Sequence, residues 1–300
     1  MPLDEASRLS GTTNIVFPDV PMLGLDTVWF QVAGSVCNLA CTHCFISCSP
    51  DNHTHAMMDA AAVEIYLRES ESLGVREFYF TGGEPFLNPE MIPILRAALR
   101  RGPATVLTNG TLITARRAAD LKALSEDSAY SLDIRLSLDG FDAAANDAIR
   151  GPGTFVRILE AIGHLAAAGL NPVITVTEAC EEAVGSAGRA RLLGRLRDLG
   201  LDRPRLKVMP LLLLGAEAGR TRAYGKEETL AGTELTEADA ASLQCASGRM
   251  VTAEGVYVCP ILIDFPEARM GSTLAETLRP FPLRHRACHT CHVQGLNCRT

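Results

Sequence analysis

The chain has 300 residues, 47% of them hydrophobic and 21% charged, an ordinary globular balance with enough mass for a large core. A formal charge of −7 argues against a nucleic-acid binder, which needs a basic face, and suits a small cationic substrate. No apolar run approaches the roughly 18 residues of a membrane span, and the N-terminus lacks the basic-then-apolar signal-peptide pattern, so a cytoplasmic protein is expected.

In chain order, Thr27–Ala33 (TVWFQVA) reads as a strand that runs into Cys37-x3-Cys41-x2-Cys44, with Cys48 close behind. Asp59 can cap a helix reaching about Leu73. Arg76–Thr81 is a strand, Gly82-Gly83 a turn and Pro89–Arg101 a helix. Ala104–Leu107 is a strand, Asn109-Gly110 a turn, Thr114–Leu124 a helix and Asp133–Leu138 a strand. Thr154–Ala168 is helical, Pro172–Thr177 a strand, Ala183–Leu199 helical and Arg205–Leu214 a long apolar strand. Six strands alternating with helices predict an α/β fold with a parallel sheet, a partial (β/α)6 TIM-type barrel. The expected organisation is an N-terminal extension over 1–26, the barrel over 27–225 and a small C-terminal extension over 226–300. Ligand groups in such folds gather at the carboxyl ends of the strands, where the unusual residues fall.

The chain has ten cysteines, and in a cytosolic enzyme that number favours metal or redox chemistry over a disulfide framework. Cys37, Cys41 and Cys44 put three soft ligands in one loop. They can hold one face of an iron–sulfur cube, or zinc with a fourth ligand from His43, Cys48, His53 or His55. Cys37–Cys44 (CNLACTHC) resembles the signature loop of the radical S-adenosylmethionine (SAM) superfamily. The resemblance continues at Gly82-Gly83-Glu84-Pro85, at Ser137 and Asp139 (SLDG), at Asn109 (TNG) and at Arg150.

That resemblance implies a [4Fe–4S] cluster on the three thiolates. Its open iron binds SAM, and reductive cleavage gives a 5′-deoxyadenosyl radical that abstracts hydrogen. It further implies that Gly82, Gly83 and Glu84 meet the SAM amino group, and that Ser137 and Asp139 meet its ribose and methionine portions. Asn109 lies near SAM, Arg150 pairs with the carboxylate, and His43 stands where the family places an aromatic against the adenine. A flavodoxin or ferredoxin is the implied electron donor.

Five more cysteines, Cys245, Cys259, Cys288, Cys291 and Cys298, fall near the C-terminus. Their arrangement is similar to the superfamily's auxiliary-cluster domains, called SPASM with two clusters and Twitch with one. Five thiols fit one further [4Fe–4S] cluster with one thiol spare. A zinc knuckle using His289 or His292 is the alternative. Cys259, Cys288, Cys291 and Cys298 form the favoured set, leaving Cys245 free; the usual Twitch order instead leaves Cys298 free. A free thiol can return a hydrogen atom to a substrate radical and invert a centre, so Cys245 is the expected donor, with Cys180 and Cys48 behind it. The family includes short enzymes that epimerise or oxidise aminoglycosides. The expected reaction is epimerisation of an amino sugar, with sugar-alcohol dehydrogenation or peptide modification as alternatives. Glu178, Glu181, Glu217 and Asp264 are candidate contacts for the cationic substrate.

Overall fold

The computed structural model describes residues 16–298, so residues 1–15 of the expected N-terminal extension lie outside the described residues. Short strands β1 (Asp19–Val20) and β11 (Phe281–Pro282) pair with each other. The main sheet holds nine strands: β2 (Thr27–Gln31), β3 (Glu77–Thr81), β4 (Ala104–Thr108), β5 (Leu132–Ser137), β6 (Val173–Thr177), β7 (Arg205–Met209), β8 (Gly248–Thr252), β9 (Gly255–Tyr257) and β10 (Arg269–Gly271). Their spatial order is β10-β9-β8-β2-β3-β4-β5-β6-β7. The expected six strands are parallel neighbours from β2 to β7 and form an open sheet; its edge strands, β10 and β7, are not paired with each other.

The helices are α1 (Ala60–Leu73), α2 (Met91–Ala98), α3 (Ala115–Glu126), α4 (Ala143–Arg150), α5 (Thr154–Ala167), α6 (Gly185–Asp198), α7 (Gly215–Arg220), α8 (Glu237–Ser242) and α9 (Ala287–Val293). Asp59 caps α1 as expected, its carboxylate accepting from the Ala62 N–H. β7 is shorter than the expected Arg205–Leu214 because Pro210 has no N–H for the ladder. Helix α4 was not expected; Asp142 nucleates it by accepting from the Ala145 N–H. The C-terminal segment also adds strands to the main sheet. β8 lies parallel to β2, and a tight hairpin returns β9 antiparallel, with Thr252 opposite Gly255.

Strand alternation sorts side chains onto two faces. Val28, Phe30, Phe78 and Phe80 pack outward under the helices, with Phe30 stacked on Phe80 at 5.3 Å. Trp29 and Tyr79 point to the concave face and stack at 4.2 Å. There they join Met250, Leu243, Val258, Ile261, Leu283 and Leu296, so the C-terminal segment covers the hollow of the sheet. Among the described residues no helix is long and apolar enough to cross a membrane.

Candidate functional site

The first cysteine cluster is a loop fixed from several sides. The Cys37 N–H donates to the Ser49 carbonyl at 3.0 Å, and the Thr42 N–H donates to Ile149 at the end of α4 at 2.9 Å. Gly83 sits directly against this loop. Its N–H donates to the Gly34 carbonyl at 2.8 Å, and a Cβ there would stand 2.0 Å from the Val36 oxygen, so only glycine permits the approach. On the opposite side Gly215, at φ +52°, brings α7 onto the loop, and the Ala216 N–H donates to the Cys44 carbonyl at 2.9 Å.

Cys37, Cys41, Cys44 and Cys48 open into one cleft of about 1110 Å³, up to its mouth, shared with His43, Gly82, Gly83, Asn109, Ser137 and Arg150. Arg135, Thr175, Thr177 and Met209 complete its wall. Sulfur atoms here already receive donors: Leu39 N–H at 3.5 Å and Asn109 Nδ2 at 3.6 Å reach Cys37, and Cys48 N–H reaches Cys44 at 3.3 Å. Burial pushes the Cys37 thiol up to about 12, whereas a hydrogen bond from the Cys48 side chain holds Cys44 down. A metal binding here displaces protons.

Two of the expected SAM contacts face elsewhere. Glu84 is fully buried and spends its carboxylate on the fold: it accepts from Phe86 N–H at 3.0 Å, Thr108 Oγ1 at 2.7 Å and Asn109 N–H at 2.8 Å. It organises the strand ends, and the cleft receives the glycines before it. Asp139 is likewise fully buried. It meets His43 Nε2 at 2.7 Å and Arg150 at 2.6 Å, and it accepts from the Thr177 N–H at 2.8 Å and hydroxyl at 2.7 Å. Burial raises its pKa, but the Arg150 charge and the His43 bond outweigh that and hold the carboxyl well below its ordinary range. Asp139 thereby presents His43 and Arg150 to the cleft. Buried His43 Nδ1 and Arg150 Nε have no partner among the described residues; Arg150 Nε, a donor, fits an added anionic or accepting ligand. A SAM carboxylate beside a thiolate-bound cluster meets that requirement.

The second cluster is separate. Cys245, Cys259, Cys288, Cys291 and Cys298 all line one apolar cavity, with Leu243, Val258, Ile261, Leu283 and Leu296. Burial raises all five thiols, Cys245 to about 11 and Cys288 to about 12. The thiols ring a volume, an arrangement suited to a multi-atom cluster. Neither His289 nor His292 lines it.

Cys245 therefore shares the thiol cavity and does not line the cleft, against its expected role as hydrogen donor there. It precedes β8, level with the start of β2, whereas the Cys37 loop follows the end of β2. Cys180 is buried in the helix-side core and also misses the cleft. The expected acidic substrate contacts are absent from the lining: Glu178 is exposed, Glu217 is paired with Arg220, and Asp264 with His55. The Glu181 side chain lies outside the described residues. Among the described residues the cleft presents Arg135 and Arg150 and no carboxylate. Sequence reading missed Arg135. Its signal was a charge in phase with Asp133 and Ser137 on the inward face of a buried parallel strand.

Residues 32–179 match the Radical SAM superfamily. The AdoMet-dependent heme synthase of Nitratidesulfovibrio vulgaris is 33% identical over 150 residues, 47% of this chain and 37% of that protein. Mycofactocin maturase MftC of Mycobacterium tuberculosis is 35% identical over 134 residues, 44% of this chain and 32% of that protein. The chain thus spans about a third of the length of these relatives. The crystal structure of Streptococcus suis SuiB bound to S-adenosylmethionine superposes with TM-score 0.64 at 17% identity, covering 87% of this chain and 67% of that one. SuiB bound to its precursor peptide SuiA gives 0.65, with 87% and 66% covered. These likenesses show the fold.

Proposed function

We propose that this chain, whose residues 32–179 form a Radical SAM superfamily domain, oxidises a peptide-type or anionic substrate by hydrogen abstraction, with an auxiliary cluster as electron acceptor. Bound at Cys37, Cys41 and Cys44, a [4Fe–4S] cluster carrying SAM supplies a hydrogen-abstracting radical on reduction. The chain's own residues then have distinct tasks. Gly82 and Gly83 let backbone approach the ligand, Asn109 donates to the Cys37 sulfur, and Arg150 offers its open Nε to a carboxylate. Asp139 holds Arg150 and His43 in place.

The observation that carries the substrate class is the cleft's charge. The acidic balance of the whole chain does not extend to the lining, which holds no Asp or Glu among the described residues; Arg150 is balanced by Asp139 behind it, and Arg135 has no carboxylate ion pair among the described residues. A polycationic amino sugar finds no carboxylate there to pair with among the described residues. A "PqqA peptide cyclase" among the relatives and SuiB bound to precursor peptide SuiA among the fold neighbours support a peptide-type substrate. The five-thiol cavity supports oxidation, because it offers an auxiliary cluster to take the second electron.

A second reading keeps inversion of a C–H centre, as in an amino-sugar epimerase. Cys48 supports it, being a thiol that lines the cleft outside the Cys37-x3-Cys41-x2-Cys44 motif. The reconstituted protein is incubated with SAM, reductant and a panel of peptides and aminoglycosides in deuterated water, and products are weighed. Loss of two hydrogens from a peptide fits the proposal. Deuterium gain at an inverted carbon of an aminoglycoside would sink it in favour of the second reading.

A further inference from the structure

Two buried arginines each hold the backbone of a cysteine that lines the five-thiol cavity. Arg249 is 1% exposed and Arg135 is 2% exposed. Arg249 lies under the first cysteine of the cavity. Its Nη1 donates to the carbonyls of Cys245 and Gly248, each at 2.7 Å, and its Nε and Nη2 donate to Thr277 at 3.1 and 2.9 Å. Nη2 also reaches the Arg279 carbonyl at 3.2 Å. Arg135 lies at the other side. Its Nη1 donates to the Cys298 carbonyl, its Nε to Thr175 Oγ1 at 3.3 Å, and its Nη2 faces Met209 Sδ at 4.0 Å.

Neither guanidinium forms an ion pair with a carboxylate among the described residues; their partners are carbonyls, a hydroxyl and a thioether. A buried charge of this kind is costly unless an opposite charge lies nearby. The cavity whose Cys245 and Cys298 backbones they hold carries five thiols, and thiolates are the anionic form that metal binding enforces. Arg249 touches the backbone of Cys245 and Arg135 that of Cys298, so a cation flanks the site whichever of these two thiols is spare.

We propose that Arg249 and Arg135 are the counter-ions of the auxiliary iron–sulfur cluster and set its reduction potential, making it a better electron acceptor. The inference rests on the auxiliary cluster of the proposed function. Each added electron makes a four-thiolate cluster more negative, and fixed positive charge in an apolar cavity favours the reduced state. Arg135 also lines the cleft, so its charge stands between substrate and cluster. Both are positioning residues: they act through the cluster.

The test uses the full chain with Cys37, Cys41 and Cys44 all changed to Ala, reconstituted anaerobically so that only the C-terminal cluster remains. Iron is counted, and the midpoint potential is read by EPR-monitored titration. A parent with no iron, or with zinc, defeats the cluster reading before any arginine is touched, and the proposal with it. With iron present, Arg249→Met and Arg135→Met should each lower the reduction equilibrium at least tenfold, about 59 mV for one electron. Unchanged or raised potentials at full iron content overturn the proposal. If the Met variants do not hold iron, Arg249→Lys and Arg135→Lys decide. Iron restored by the lysines supports the charge role. Iron still absent assigns the arginines to bracing carbonyls and overturns it.

Discussion

Asp139→Asn tests the account of how the cleft is built. Oδ1 of Asp139 takes both Thr177 bonds, which an amide oxygen retains. Oδ2 takes His43 and Arg150, and that is where the loss falls. Arg150 is 6% exposed, so the variant leaves a buried guanidinium without its anion. Breaking such a pair from one side costs about 3–5 kcal/mol. At roughly 2 °C per kcal/mol for a chain of this size, Tm falls by about 6–10 °C. Thermal unfolding of the apo chain at pH 7 measures this without interference from clusters. The pH dependence supplies a second reading. The folded carboxyl titrates below its ordinary 3.8, so the pair's contribution is fully present above about pH 5 and is lost only as pH falls through the depressed value. The gap between wild type and variant should be flat from pH 8 to 5 and close in stronger acid. Arg150→Met added to Asp139→Asn should recover part of the loss, since the stranded charge is gone. A cost below about 1 kcal/mol at pH 7, the scale of an exposed pair, refutes the reasoning.

Glu84→Gln should destabilise the apo chain by about 1–3 kcal/mol, because an amide N–H₂ then faces buried donors. A SAM ligand with no structural role would leave apo stability unchanged, so thermal unfolding separates the two. Gly83→Ala should cost about 1–3 kcal/mol or more by driving a Cβ into the Val36 carbonyl, with loss of iron from the first site; full iron and an unchanged Tm contradict the close approach. The bond to Asp264 raises the His55 pKa, with Glu254 adding to it against the effect of burial. The stability it contributes is therefore full below about pH 6.5 and lost as pH rises through the raised value. His55→Gln should thus differ from wild type at pH 6 and converge with it in alkali, as followed by urea unfolding.

Much of the fold was legible because buried parallel strands write themselves as short apolar runs between capped helices. Phe78 and Phe80 in Glu77–Thr81, and Val106 in Ala104–Thr108, announce strands by composition alone. The cysteine loop and glycine pair were legible because their chemistry demands those residue types. Direction was not legible. Glu84 and Asp139 lie at strand ends as expected, yet a strand end offers an inward and an outward side, and only packing decides between them. The role of β8 was also hidden: Gly248–Thr252 reads as a hairpin arm, and nothing local shows that it adds in parallel to β2. The convergence of Cys245, Cys259 and Cys288–Cys298 on one cavity depends on three segments brought together by the tertiary fold. Arg135 shows in the sequence only as a charge in the inward phase of a strand; its contact with the Cys298 backbone depends on the C-terminal segment closing over it.

The central claim is that Cys37, Cys41 and Cys44 hold a SAM-cleaving cluster and the C-terminal thiols hold another. Anaerobic reconstitution followed by iron counting and a 5′-deoxyadenosine assay tests both together. The account predicts about eight irons per chain with 5′-deoxyadenosine formed on reduction, and about four irons with none formed after all three loop cysteines become Ala. Undiminished 5′-deoxyadenosine from that variant, or only about four irons in the wild type, would contradict it.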